Sequence, residues 1–247
     1  MMPDSSRPFL SLIIPAFNEE ARLVQTLDAV CGYLQSQSYT WEIVVVDDGS
    51  TDCTSQFVER AGSVEPRIRL LHYPKNRGKG YAVQYGMLHT TGTYRLFMDA
   101  DNSTSIDHVA QFLPLLEHGT DVVIGSRAVP EAQVVVHQSR WKEWLGKLGN
   151  RWIRFWAVPG IKDTQAGFKI FAAEAAESIF PSLTISGWAF DVEVLAIARS
   201  RGYKIAEMPV RWVNDAQSKV TWRAYLQVLK DVVKIRFNLW KGKYKVH

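Results

Sequence analysis

Short apolar runs alternate with amphipathic stretches along the first half of the chain. Phe9 to Pro15 (FLSLIIP) is apolar and stops at proline, the pattern of a buried strand. From Glu19 to Leu34, the residues Leu23, Val24, Leu27, Val30, Cys31 and Leu34 recur at helical spacing, which predicts a helix with one buried side. The same alternation predicts strands at Trp41–Val46, Arg67–His72, Tyr94–Met98 and Asp121–Ile124, with helices at Thr51–Ala61, Gly78–His89 and Ile106–Leu116 between them. Strands alternating with helices predict an α/β fold: a mostly parallel, doubly wound sheet with helices on both faces. After residue 126 the rhythm breaks. A loop at Ala128–Gln138 leads into an aromatic stretch. Strand-like Phe168–Phe171, helices at Ala172–Ile179 and Asp191–Arg199, strand-like Lys204–Met208 and Val210–Val213, and a long amphipathic helix at Thr221–Trp240 follow. The pattern predicts one domain over 1–247, with 9–127 as its first half, 128–220 as an extension and 221–247 as a basic helix.

Composition narrows the class. The 247 residues are 47% apolar and 22% charged, which suits a globular chain with an ample core. Two cysteines, Cys31 and Cys53, are too few for a disulfide framework or a Cys-based zinc site. Every stretch of about 18 residues carries charge, and Met1–Pro8 holds no apolar run, so neither a membrane span nor a signal peptide is expected. A cytosolic setting is the expectation. The net charge of +4 hides an asymmetry: residues 201–247 hold eleven Lys/Arg against three Asp/Glu. A second basic patch, Arg140 to Arg154, sets five basic residues against Glu143. Both segments are rich in tryptophan and other aromatics. They suit an anionic membrane surface or a nucleic acid, or they are solvated basic faces whose aromatics turn toward the core. No nucleic-acid recognition motif is visible.

Chemistry collects where the strands end. In parallel sheets, ligands bind beyond the carboxyl ends of the strands. Here those ends read Pro15-Ala16-Phe17-Asn18-Glu19, Asp47-Asp48, Asp99-Ala100-Asp101 and Gly125-Ser126-Arg127. Any one acidic strand end is read more simply as a turn or helix cap; four together point to one crevice. The Asp99/Asp101 carboxylates on one turn repel unless a cation sits between them, and oxygen ligands suit Mg²⁺ or Mn²⁺, with Ser103 or Asn102 as a further donor. The spacing of a P-loop and the Gly-x-Gly-x-x-Gly of nicotinamide-binding sheets are both absent. Lys79, at a glycine-rich helix start, is placed either for a phosphate or for a carboxylate of the site.

These motifs, PAFNE (15–19), VVVDDGSTD (44–52), NRGKG (76–80), DADNST (99–104) and GSR (125–127), resemble the nucleotide-sugar domain of family 2 glycosyltransferases. IKDTQAGFKIF (161–171), WAFDVE (188–193) and AEMPVRW with the Ser218-Lys219 pair resemble dolichyl-phosphate β-glucosyltransferases and related polyprenyl-phosphate glycosyltransferases. The resemblance implies the GT-A fold, with 9–127 binding the nucleotide sugar and 128–220 facing the acceptor. It implies that Pro15, Phe17 and Glu19 cradle the uracil and ribose, that Asp48 faces the base, and that Asp99 and Asp101 hold the ribose and a metal-bound diphosphate. It assigns Arg127, and by analogy Arg140 and Lys219, to the acceptor phosphate, and Asp163, Gln165 and Trp188 to the sugar side. Asp191 takes the place of an acceptor-side carboxylate: a base, a sugar ligand or a helix cap.

Eukaryotic glucosyl members carry an N-terminal anchor and some relatives a C-terminal span pair; the hydropathy of these residues leads one to expect neither here. The chain carries Asn102-Ser103 where mannosyl relatives have Leu-Gln, which argues against a mannosyl donor. The implied reaction is inverting hexosyl transfer, with glucose as the hexose, from a UDP-sugar to a polyprenyl or dolichyl monophosphate. Asp101, Arg127 and Asp191 are its expected catalytic group. Another nucleotide sugar or a non-lipid hydroxyl acceptor is the alternative. A lipid acceptor also implies a peripheral position on the cytoplasmic face of a membrane, with interfacial helices near 138–157 and 221–240.

Overall fold

The computed structural model describes residues 7–135, 149–213 and 222–245. Strands β1 (Leu10–Ala16), β2 (Trp41–Asp47), β3 (Ile68–His72), β4 (Tyr94–Met98) and β5 (Val122–Ser126) alternate with helices α1 (Glu20–Gln35), α2 (Thr54–Val64), α3 (Lys79–Leu88) and α4 (Val109–Glu117). A short strand β6 (Gln133–Val134) and a helical stretch α5 (149–156) follow. Then come β7 (Phe168–Ala172), α6 (Ala173–Ile179), α7 (Phe190–Ser200), β8 (Ile205–Pro209), β9 (Arg211–Trp212) and α8 (Trp222–Trp240).

The main sheet has seven strands in the order β3-β2-β1-β4-β7-β5-β8. Side chains alternate across it with period two, so each strand feeds two cores. On one face Ile13, Val44, Val46, Phe97 and Phe171 pack with α3, α6, α7 and α8. On the other Leu12, Ile14, Val45, Leu96, Met98 and Ile170 pack with α1 and α4. Burial on both faces explains why the strands read as continuous apolar runs. α8 contributes Val228, Val232 and Ile235 to the first core, and the segment after it is held by Tyr244, whose hydroxyl donates to Glu193 at 2.6 Å. No helix among the described residues is long and apolar enough to cross a membrane.

The structure refines the sequence reading in three places. β7 is inserted antiparallel between β4 and β5, whose own directions agree with the rest of the sheet. Periodicity reports that a strand is buried, not which way it runs. The second helix starts at Thr54 rather than Thr51, because residues 50–53 are spent on hydrogen bonds to the loop after β1. The loop expected at 128–138 contains β6, which pairs in parallel with β9; only two residues of the run 210–213 are strand.

The antiparallel insertion has a direct consequence. The start of β7 lies beside the end of β4, so the Asp99 N–H donates to the Gly167 carbonyl at 3.1 Å. A segment from the second half of the chain therefore borders the acidic turn of the first half.

Candidate active site

The loop after β1 and the loop after β2 are knitted together. Asn18, in the left-handed region at φ 53°, accepts from the Thr51 N–H at 2.8 Å, and its own N–H donates to the Ser50 hydroxyl at 2.9 Å. Glu19 receives Arg22 at 2.8 Å, and its N–H donates to the Thr54 hydroxyl at 3.0 Å. Pro15 is half-buried at the end of β1, and Phe17 is exposed. The neighbouring Asp47 is structural: it accepts from the Ser50 N–H at 2.9 Å, from the Ser55 hydroxyl and from His72. Asp48 reaches the other way. Its carboxylate accepts the N–H groups of Arg77 at 2.6 Å and Gly78 at 2.9 Å, and so fixes the turn before α3. Gly78 adopts φ 97°, and a Cβ there would stand 2.5 Å from the Ser186 carbonyl oxygen.

That Ser186 carbonyl also accepts the N–H groups of Gly80 at 2.8 Å and Tyr81 at 3.3 Å. The first turn of α3 is thus engaged by protein, and of the two roles open to Lys79 the structure takes the carboxylate. Its Nζ lies 2.5 Å from Asp99 Oδ1 and 5.4 Å from the centre of the Trp188 ring. Burial works against the ammonium, but Asp99, Asp191 and Asp101 outweigh it and hold Lys79 above its usual pKa.

The Asp99–Asp101 turn carries unresolved charge. Burial, and then the charge of Asp99, push the Asp101 carboxyl above its ordinary value, against hydrogen bonds from Ser103. The Ser103 N–H donates to Asp101 at 3.0 Å, and the Ser103 carbonyl accepts from Val213 at 2.9 Å, tying the turn to the end of β9. From α1, the Thr26 hydroxyl donates to the Ala100 carbonyl at 2.6 Å. Asn102 sits at φ 52°, and its Oδ1 is buried with no hydrogen-bond partner. Two hard carboxylates that repel each other, beside an orphaned amide oxygen, fit an oxygen-binding divalent cation. No group of three His, Cys, Asp or Glu among the described residues is placed to hold a metal ion by itself, so Asp99 and Asp101 would share the ion with ligand or water oxygens.

Arg127 and Asp163 form a bidentate pair. Nε donates to one carboxylate oxygen at 2.8 Å and Nη2 to the other at 2.9 Å, while the Arg127 N–H adds a third bond at 2.9 Å. The guanidinium lies 5.2 Å from the Trp212 ring, and Nη2 approaches the Gln165 carbonyl at 3.5 Å. Gln165 itself is exposed. Glu207 holds the same loop from β8 by accepting the N–H groups of Lys162 and Asp163. Burial alone would raise Asp163; the Arg127 guanidinium outweighs it and holds the carboxyl below its ordinary value. Arg127→Met is expected to cost about 2–3 kcal/mol of stability, because it strands a buried carboxylate, and Asp163→Asn in the same chain should recover most of that loss in chemical denaturation. A depressed native pKa stabilises the fold fully above the unfolded value of ~3.9, and that contribution is lost as pH falls through the native value. Wild type should therefore lose stability more steeply below pH ~4 than Asp163→Asn does.

Asp191 lies in the first turn of α7, but the cap position is Ala189 and no side chain caps the helix, so the cap role is excluded. Its carboxylate faces Lys169 at 2.5 Å. Trp188, just before the helix, is exposed at 39%. Arg140, Lys219 and most of the helix expected at 138–157 lie outside the described residues. The structure thus gathers Lys79, Asp99, Asp101, Asp163 and Arg127 with Asp191 into one electrostatic neighbourhood. Sequence reasoning missed Lys169, Gly167 and Glu207. The signal for the first was a lysine inside an otherwise apolar strand.

The family model described as Glycosyl transferase family 2 matches residues 11–180, which include all four strand ends. The chain belongs to that family. This family 2 glycosyltransferase is 38% identical to a dolichyl-phosphate beta-glucosyltransferase of Trichomonas vaginalis, over 97% of the chain and 75% of that relative. It is 35% identical to the Homo sapiens protein of the same name, over 98% and 79% of the two chains. Among solved structures, the glycosyltransferase superimposes on glucosyl-3-phosphoglycerate synthase from Mycobacterium tuberculosis in complex with Mn²⁺, UDP-glucose and phosphoglyceric acid, with TM-score 0.68 at 19% identity, covering 94% and 81% of the chains. A mannosyltransferase from Pyrobaculum calidifontis with GDP-mannose and Mn²⁺ gives TM-score 0.62 at 23% identity, covering 98% and 66%. The family 2 enzyme therefore has the GT-A fold inferred from its motifs.

Proposed function

We propose that this glycosyltransferase moves glucose from UDP-glucose to the phosphate of a dolichyl or other polyprenyl monophosphate, giving a β-linked product. The observation that carries this reading is the similarity, over nearly the whole chain, to dolichyl-phosphate beta-glucosyltransferases from several eukaryotes at 34–38% identity. A phosphate oxygen of the acceptor bonds to the anomeric carbon as the bond from that carbon to the UDP oxygen breaks, and UDP leaves with the electron pair. In-line attack inverts the centre. The acceptor is already an anion at neutral pH, so no proton need be removed. Asp191, engaged by Lys169 Nζ at 2.5 Å, is given no role as a base in this reading. A hydroxyl acceptor would need such a base.

The work left to the protein is alignment and charge. Asp99 and Asp101 would hold Mg²⁺ or Mn²⁺, which when bound supplies Lewis-acid stabilisation of the diphosphate. The Lys79 ammonium beside Asp99 adds positive charge near the leaving group. Pro15, Phe17, Glu19 and Asp48 line the nucleotide end, and Gln165 and Trp188 the sugar; Asp163, buried with both oxygens on Arg127, does not reach it. Arg127 meets the acceptor phosphate while Asp163 braces its guanidinium, and Arg140 and Lys219 complete that group. The donor is tested by offering labelled UDP-glucose, UDP-galactose, UDP-N-acetylglucosamine and GDP-mannose with dolichyl phosphate and Mn²⁺. Label should enter the organic phase from UDP-glucose; preferential transfer from another donor would overturn the sugar assignment.

The acceptor's tail requires a membrane-facing surface, and α8 is the candidate for it. Val228, Val232 and Ile235 bury its inner side, while Leu226, Leu229, Val233, Phe237 and Trp240 form an exposed stripe on the opposite side at spacings of three and four. Lys230, Lys234 and Lys241 are exposed beside that stripe. This arrangement suits a helix lying in an anionic interface at the cytoplasmic face of a membrane. Val233→Asp with Phe237→Asp should reduce co-sedimentation with phosphatidylserine-containing vesicles by about 100-fold or more, since each apolar side chain is worth ~1.5–3 kcal/mol on burial. The thermal midpoint should hardly move, because both positions are exposed.

A further inference from the structure

Lys169 is the one charged residue of β7, and it is fully buried in the middle of the seven-stranded sheet. Its strand neighbours in register are Phe97 on β4 and Ile124 on β5, both apolar. Packing alone would accept a methionine there. A buried ion pair gives little net stability over apolar residues of the same volume, so its retention asks for another reason.

The contacts of the ammonium supply one. Nζ donates to Asp191 Oδ1 at 2.5 Å and to the Ala166 carbonyl. Asp191 lies in the first turn of α7, three residues after Trp188. Ala166 precedes Gly167, whose carbonyl receives the Asp99 N–H and whose Cα lies so close to the Asp99 carboxylate that a Cβ would stand 2.1 Å from Oδ2. One buried ammonium thus ties the carboxylate on the acceptor side to the segment against which the donor-side carboxylate rests.

We propose that Lys169 is a positioning residue, which fixes the Asp191 carboxylate and the 163–167 segment relative to Asp99 and thereby aligns acceptor with donor while touching neither. It acts through Asp191, and its kinetic consequences rest on the transfer reaction proposed above.

The test compares Lys169→Met, Asp191→Asn and the double variant in the full chain, with thermal midpoint, KM for UDP-glucose and kcat at saturating dolichyl phosphate as readouts. Lys169→Met should lower kcat at least about tenfold at a temperature where it is folded, with KM for UDP-glucose within about twofold of wild type. The double variant leaves no charge to bury, so it should regain the thermal midpoint but not kcat, and should be no slower than the slower single variant. A double variant with wild-type kcat, or single losses that multiply, would make the pair purely structural and overturn the proposal. A crystal structure of Lys169→Met gives a readout independent of the acceptor. The Asp191 carboxylate should be displaced; an unmoved carboxylate overturns the proposal. Absence of lipid product with wild type overturns the reaction reading alone, and the structure of the variant then still decides the role of Lys169.

Discussion

Asp101→Ala is expected to lower kcat by about a thousandfold or more, an effect of ~4 kcal/mol on the transition state. Asp101 is half-buried beside Asp99, and its carboxyl is raised by burial and by that neighbour's charge. The fold bears this repulsion rather than gaining from it, so removing the carboxylate should leave the thermal midpoint unchanged or slightly higher. What is lost is half of the carboxylate pair proposed to hold the divalent cation against the diphosphate. Calorimetry of UDP binding with and without Mn²⁺ separates the two effects: wild type should bind more tightly with the ion, and the variant should show little difference. A variant that keeps turnover and metal-enhanced binding would remove Asp101 from the site.

Gly167→Ala should lower kcat about a hundredfold through a single methyl group. That methyl would stand 2.1 Å from Asp99 Oδ2 and 2.6 Å from its Cγ, so the carboxylate must move. It is the flexible end of a side chain, and the fold can accommodate the shift. The 2.5 Å contact with Lys79 cannot survive it unchanged. Misplacement of a reacting or charge-bearing group by about 1 Å costs on the order of a hundredfold in rate. The expected pattern is a large fall in kcat with a thermal midpoint within a few degrees of wild type. Wild-type kcat in this variant would show that the position of Asp99 does not limit transfer.

Much of this molecule is readable from its residues, and the reasons are local. The strands WEIVVV and YRLFM are apolar because both faces of the sheet are covered, and their acidic ends lie at its carboxyl edge. Asp99, Asp101 and Arg127 follow strands, so an alternating pattern suffices to bring them to one edge. Direction and pairing were not readable. Nothing in FKIFA says that the strand runs against its neighbours, or that Gly167 would thereby meet Asp99. The pairing of Arg127 with Asp163 spans 36 residues and depends on Glu207 holding the intervening loop from a third strand. Asp191 was legible as a polar residue at a helix start; that it faces a buried lysine rather than solvent is a property of the packed sheet. Lys169 itself was visible as a break in an apolar run, and the charge balance of the core required a partner for it.

The most direct test of the proposed reaction is acceptor discrimination. Purified enzyme with Mn²⁺ and labelled UDP-glucose is given dolichyl phosphate or, in parallel, the same lipid as the free alcohol, with Asp101→Ala as control. Label should enter the organic phase from the phosphate alone and be lost in the variant. Equal labelling of the alcohol, or none of either lipid alongside clear UDP binding, would contradict the proposed reaction.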